Sequence, residues 1–274
     1  MRYKRYLVFL TAALAICLSM FLGAGVLAEG EAKWPESPGK NVKKSEKLKV
    51  DLSNMSEGYF TAAVQKKTSK ALKLRVAFNG DTLTYDLNGK GDNEVFPFQM
   101  GSGKYEITLW ENVSGKKYSQ AGKVTVTVKL TREDGAFLYP SQYVFYTIDS
   151  KAVAKAAELC EGKTEKEAFD AVCSFMKTQF VYDFVKAATI KPGVLPDIDG
   201  CYDKHMGVCQ DLSAIMACML RTQGIPCKLM IGYADKQYHA WTVTIINGEE
   251  VFYDPTAALN AISKPKNYSV ERFY

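Results

Sequence analysis

Residues 207–224 read GVCQDLSAIMACMLRTQG. From Cys209 onward, Leu212, Ile215, Met216, Met219 and Leu220 recur at the spacing of one helix face, Gly207 offers a sharp turn into the helix, and Gly224 followed by Pro226 stops it. The pattern predicts a helix that opens at Cys209. A thiol there lies beside unpaired backbone N–H groups and the positive end of the helix dipole, and both favour thiolate over thiol. Taken alone, Cys209 reads equally well as a buried structural cysteine. Cys218 falls about 180° further around the helix, so it points away from any site built on Cys209.

Downstream, CKLMIGYA (227–234) and YHAWTVTII (238–246) read as strands flanking Asp235, Lys236 and Gln237, and EVFYDP (250–255) reads as a third, reached through Asn247 and Gly248. Asn-Gly between apolar runs is the strongest short hairpin signal. With those two residues as the loop, Ile246 faces Glu249, so Trp241 faces Asp254 and His239 faces Thr256. Side chains alternate with period two, so His239, Trp241 and Asp254 share one face, with His239 and Asp254 diagonal neighbours about 7 Å apart between backbones. A three-residue loop would break that register. The chemistry assigns the roles: Cys209 as nucleophile, His239 as the base that takes its proton and returns it to a leaving amine, and Asp254 as the group that orients the ring. Trp241 would shield the pair from water, and the Cys209 N–H would donate to the oxyanion of a tetrahedral intermediate. Tyr182 and Gln179, in TQFVYDF (178–184), are candidates for the supporting cleft, with ordinary packing the competing reading of Tyr182.

GVCQD, YHAWTV and FYDPT, in that order, resemble the three signature segments of the transglutaminase-like superfamily, a branch of the papain-like cysteine enzymes. The resemblance covers residues 148–274. It implies an α+β fold with Cys209 at a helix start, packed against an antiparallel sheet that carries His239 and Asp254. The implied activity is acyl transfer through a thioester: crosslinking of glutamine to lysine, amide hydrolysis, or proteolysis. Some members are inactive, and a cell-surface binding protein using the same fold is the competing class. No cofactor or metal is implied, and nothing matches the calcium sites of the large animal transglutaminases.

The rest of the chain sets the context. The basic start MRYKRY, the apolar run from Leu7 to Leu22, and Val26 and Ala28 before a cleavage point predict a secretory signal over residues 1–28, with an uncleaved membrane anchor as the alternative. Removing it takes away Arg2, Lys4 and Arg5 and lowers the net charge of +5 by three, leaving no basic stripe that argues for nucleic acid. Residues 29–47 are charged, carry Pro35 and Pro38, and read as a flexible tether. From residue 48 to 147, GYFTAAV, ALKLRVAF, TLTYDL, KYEITLW and KVTVTVKL read as strands, which fits an immunoglobulin-like β-sandwich acting as spacer or recognition module. Two helices are expected next, one over Lys151–Leu159 and one behind Thr164, where Glu167 completes a capping box. The expected partner is a polypeptide at or outside the cell surface.

The chain has seven cysteines; without Cys17 and with Cys209 free, a full disulfide framework is incompatible with catalysis, although one or two bridges stay open. Cys201, His205 and Cys209 are spaced by four and form a rival constellation for zinc, disfavoured by Gly200 and Gly207 and by the lack of a fourth ligand.

Overall fold

Eight strands occupy the first half of the chain: β1 (Val42–Ser45), β2 (Leu48–Asp51), β3 (Tyr59–Val64), β4 (Leu72–Phe78), β5 (Asp81–Leu87), β6 (Glu94–Pro97), β7 (Gly103–Ser114) and β8 (Lys117–Val128). The computed structural model describes residues 32–260 and 265–274; the expected leader, with Cys17, and the start of the expected tether lie outside the described residues. The strands form two antiparallel sheets of order β1-β2-β3-β6 and β5-β4-β7-β8. Val50, Phe60 and Phe96 of the first and Leu74, Ile107 and Leu109 of the second enter one apolar core, with Tyr85 meeting Phe96 edge-on at 5.4 Å. Burying each such side chain stabilises the fold by about 1.5–3 kcal/mol. β4 turns into β5 through Asn79 and Gly80, at φ +49° and +94°, the left-handed pair a tight hairpin requires.

The described part of the expected tether is ordered against this module, which differs from the expectation. Trp34 meets Tyr146 at 5.8 Å, the Ser37 and Thr61 hydroxyls lie 2.6 Å apart, and the Gly39 N–H donates to Asp51 at 2.7 Å. β1 then pairs with β2 at the sheet edge. An exposed edge strand needs backbone partners rather than apolar side chains, so the polar VKKS carries no hydrophobic signal that would announce it.

The second half begins with α1 (Lys151–Cys160) and α2 (Glu165–Gln179). At the head of α2, Thr164 N–H donates to Glu167 Oε2 at 3.0 Å and Glu167 N–H returns a bond to Thr164 Oγ1. There follow β9 (Val181–Tyr182), α3 (Phe184–Thr189), α4 (Ile198–Lys204), β10 (Met206–Gly207), α5 (Cys209–Arg221), β11 (Cys227–Ala234), β12 (Gln237–Ile246), β13 (Glu249–Tyr253), α6 (Pro255–Ala258) and β14 (Tyr268–Phe273). β9 and β10 form a short parallel pair, and the last four strands form an antiparallel sheet of order β13-β12-β11-β14. α5 lies across β11 and β12, and every residue from Asp211 to Arg221 is buried. A helix that is buried all round must reach its partners through apolar side chains on every face, and the Ala and Met content of α5 meets that need.

The two halves are joined by polar as well as apolar contacts. The Arg221 guanidinium, wholly buried, donates to the carbonyls of Cys227 (2.9 Å), Tyr139 (2.7 Å) and Tyr274 (2.8 Å). It thereby ties the end of α5 to the segment between the modules and to the last residue. Tyr143 stacks on Tyr274 at 3.7 Å, and the Gln99 amide donates to the Phe273 carbonyl. Among the described residues all six cysteines are free, and no helix is long and apolar enough to cross a membrane.

Candidate active site

Cys209 is the first residue of α5. The chain reaches it through β10, where a Cβ on Gly207 would lie 2.8 Å from Asp211 Cβ, closer than carbon atoms pack, so this approach requires glycine. Inside the first turn, the buried Asp211 accepts from the N–H of Val208 (3.0 Å), from the N–H of Asp197 (3.1 Å) and from Lys186 Nζ (2.7 Å). One carboxylate thus pins the start of α5 to α3 and to the start of α4.

The β12–β13 hairpin turns at Asn247 and Gly248, with φ of +51° and +83°. Its register pairs Ile246 with Glu249 and runs back to Thr242 with Tyr253. One step further, Asp254 leaves the ladder and caps α6, accepting at Oδ1 from the N–H groups of Thr256 (2.9 Å) and Ala257 (3.0 Å). Its Oδ2 is 2.9 Å from His239 Nε2 and accepts from the Tyr268 hydroxyl at 2.7 Å. His239 is 3% exposed and Asp254 6%, so this pair interacts with little screening.

His239 and Cys209 line the same cleft and interact electrostatically, and with Nε2 held by Asp254 the ring nitrogen left for the sulfur is Nδ1. Burial by itself would lower the histidine's pKa, but the bond to Asp254 and the interaction with Cys209 outweigh it and raise it to about 9. Burial likewise works to raise Asp254, and the His239, Ala257 and Tyr268 donors more than offset it, so its carboxyl lies below the usual range. The Trp241 indole is 2% exposed; its ring lies 6.3 Å from the His239 ring at an interplanar angle of 22°, and Tyr268 meets it edge-on at 5.0 Å. Cys209, Gln210 and His239 open onto a cleft of about 340 Å³, bounded by Ile190–Val194, Tyr143, Ile231, Tyr238 and Arg272.

Cys209, His239, Asp254 and Trp241 therefore come together. Tyr182, half-buried in β9, feels the charge of Cys209; burial first, and then that charge, push its phenol up to about 12. Gln179 does not join the cleft: it is the last residue of α2, exposed, with its amide on Thr178 Oγ1. The end of α2 turns that side chain to solvent. Cys218 is buried within α5, where desolvation pushes its thiol well up. His205 takes a left-handed turn after α4 and packs on Phe180 and Tyr202, and Cys201 lies 3.5 Å from Lys186 Nζ, so the four-residue spacing does not converge. Among the described residues no group of three or more His, Cys, Asp or Glu could hold a metal ion.

Two contributors were not legible as such in the sequence. Asp211 stands in the quoted GVCQD, where an acid in the first turn of a helix is a recognisable signal, but its partners Lys186 and Asp197 are distant in the chain. Tyr268 lies on β14, beyond the last motif, and no local pattern connects it with Asp254.

Residues 153–255 match the family model of the transglutaminase-like superfamily. That segment belongs to this superfamily. The transglutaminase-like segment includes Cys209, His239 and Asp254, and the mixed architecture of helices on an antiparallel sheet fits its core. Three solved structures are similar to the chain. One, from Cytophaga hutchinsonii and provisionally described as a cysteine protease, shares 14% identity over 78% of each chain with a TM-score of 0.40. A second, described as a TGase, shares 16% identity over 44% of this chain and 33% of its own, with a TM-score of 0.35. The third, from Parabacteroides distasonis and provisionally described as a protease, shares 15% identity over 68% of this chain and 37% of its own, with a TM-score of 0.33. Comparison with curated proteins found no match.

Proposed function

We propose that residues 148–274 form a cysteine-dependent acyl transferase or amide hydrolase that acts on polypeptide amides through a thioester. One observation carries the reading: a single buried imidazole is bonded to Asp254 and shares one open cleft with the Cys209 thiol. In the proposed cycle the Cys209 thiolate attacks the amide carbonyl carbon, and the N–H of Cys209 donates to the oxygen as it gains charge. His239 delivers its proton to the leaving nitrogen, the C–N bond breaks, and a thioester remains. Water or a lysine amine then attacks the thioester and gives its proton back to His239, and the C–S bond breaks to free the thiolate. Asp254 accepts no proton; it holds Nε2 and favours the imidazolium.

The apolar run at the start of the sequence supports export to or beyond the cell surface, where the polypeptide substrate would be met. Residues 48–147 serve in this reading as an immunoglobulin-like spacer or recognition module, supported by two antiparallel sheets that share one core.

The test is to incubate the protein with a glutamine-containing protein and a primary amine and to identify products by mass spectrometry. Crosslinks, deamidation and backbone cuts each name a different acceptor or substrate. Cys209→Ala is expected to abolish all of them. Full turnover in that variant refutes the assignment, and absence of any product from the parent protein favours the non-catalytic binding protein.

A further inference from the structure

The charge on the cleft is unbalanced in a way the catalytic group does not explain. Lys191, on the exposed loop after α3, and Arg272, on β14, both border the cleft, and among the described residues no carboxylate lines it. The Arg272 guanidinium donates to the Tyr238 hydroxyl, and the groups that act on its charge are the phenols of Tyr274, Tyr238 and Tyr143 rather than an acid. The Lys191 ammonium makes no ion pair or hydrogen bond among the described residues. Lys186, on the preceding α3, is by contrast paired with Asp211. The carboxylates closest to the chemistry are already committed, Asp254 to His239 and Asp211 to Lys186.

Two uncompensated cations beside apolar walls from Ile190, Pro192, Val194 and Ile231 concentrate a positive field over Cys209. A guanidinium braced by a hydroxyl still offers a planar pair of donors to a carboxylate, a geometry an ammonium cannot supply. We infer that the cleft selects acyl donors that carry a carboxylate close to the amide under attack, either an acidic side chain or the C-terminus of the peptide. The inference rests on the thiol-enzyme reading above and names its substrate class. The cleft is at the small end of ligand sites, so the carboxylate belongs within one or two residues of the reacting carbonyl.

The experiment separates the two claims by using alkylation instead of turnover. Rates of modification of Cys209 by iodoacetate, which is anionic, and by iodoacetamide, which is neutral, are read by peptide mapping, with N-acetylcysteine as the reference thiol. The iodoacetate-to-iodoacetamide ratio at Cys209 is expected to exceed the reference. It should fall about tenfold in Lys191→Gln/Arg272→Gln at low salt and shrink in the parent protein as salt is raised to about 0.5 M. A ratio equal to the reference and indifferent to both substitutions overturns the inference and leaves the role of Cys209 standing. A Cys209 no more reactive than the reference thiol toward either reagent, and unaffected by His239→Ala, overturns the enzyme reading and the inference with it.

Peptide substrates then locate the carboxylate. Glutamine peptides bearing Glu, Gln or Lys beside the reacting residue, each with a free or amidated C-terminus, are compared by kcat/KM. Preference for Glu peptides assigns the side chain, and preference for free over amidated termini assigns the C-terminus. Lys191→Glu/Arg272→Glu should shift the preference toward Lys peptides; equal rates across the whole set in the parent protein overturn the inference.

Discussion

Asp254 uses both carboxylate oxygens, one on the α6 N–H groups and one shared by His239 and Tyr268. That division predicts separable effects. With His239 raised to about 9, the imidazolium that must protonate the leaving amine persists through neutral pH and is lost as the pH rises through that value. The pH profile of kcat/KM should therefore show an alkaline limb near 9. Asp254→Asn removes the charge that supports the imidazolium, so the limb should move to lower pH while the rate falls by several orders of magnitude. A limb that stays in place would show that Asp254 does not set the ring's proton affinity. Tyr268→Phe deletes one bond that orients the carboxylate without touching substrate, and a fall in kcat of about tenfold with KM unchanged is expected. Rates equal to the parent would reduce Tyr268 to packing. Cys218→Ala should leave turnover largely intact, since its thiol is buried within α5.

At the scale of elements, the site depends on two junctions. The first is the start of α5, where Gly207 lets β10 approach and Asp211 locks the turn. The second is the Asn247-Gly248 loop, whose two-residue length sets which face of β12 meets the end of β13. Inserting one glycine between Asn247 and Gly248 should rotate the pairing by one residue and part His239 from Asp254. Activity should collapse while circular dichroism stays close to that of the parent. Retained activity would mean that the α6 cap, rather than the hairpin, positions Asp254. The hairpin was legible in the sequence because Asn-Gly encodes its own geometry. The edge strand β1 was not, because an exposed strand is held by backbone bonds that polar side chains do not advertise. Gln179 was misplaced for a related reason: proximity in sequence to Tyr182 says nothing about which way the last turn of α2 faces.

For the whole molecule, Arg221 is one of the connections between the modules. Its three carbonyl partners come from β11, from the segment before α1 and from the C-terminal residue. Replacing it with Leu removes the side-chain donors to three buried carbonyls, of which that of Tyr274 keeps the Leu229 N–H, and a loss of about 3 kcal/mol or more is expected in chemical unfolding. Arg221→Lys keeps the charge but not the fork of donors, so an intermediate loss is expected. A variant as stable as the parent would show that water or backbone shifts replace those bonds.

The sequence by itself determined the elements that carry the chemistry: a helix starting at Cys209, a hairpin with His239 and Asp254 on one face, and a capped helix behind Thr164. These follow from local rules, since helix spacing, strand alternation and turn residues act over a few neighbours. Only the tertiary structure decided what those elements meet. It brought the sulfur and the imidazole into one cleft, brought Tyr268 to Asp254, gave Asp211 its lysine and left Arg272 and Lys191 without acids among the described residues. Such contacts depend on how separate surfaces pack, and packing selects partners by shape and charge across distances in the chain that no local pattern records.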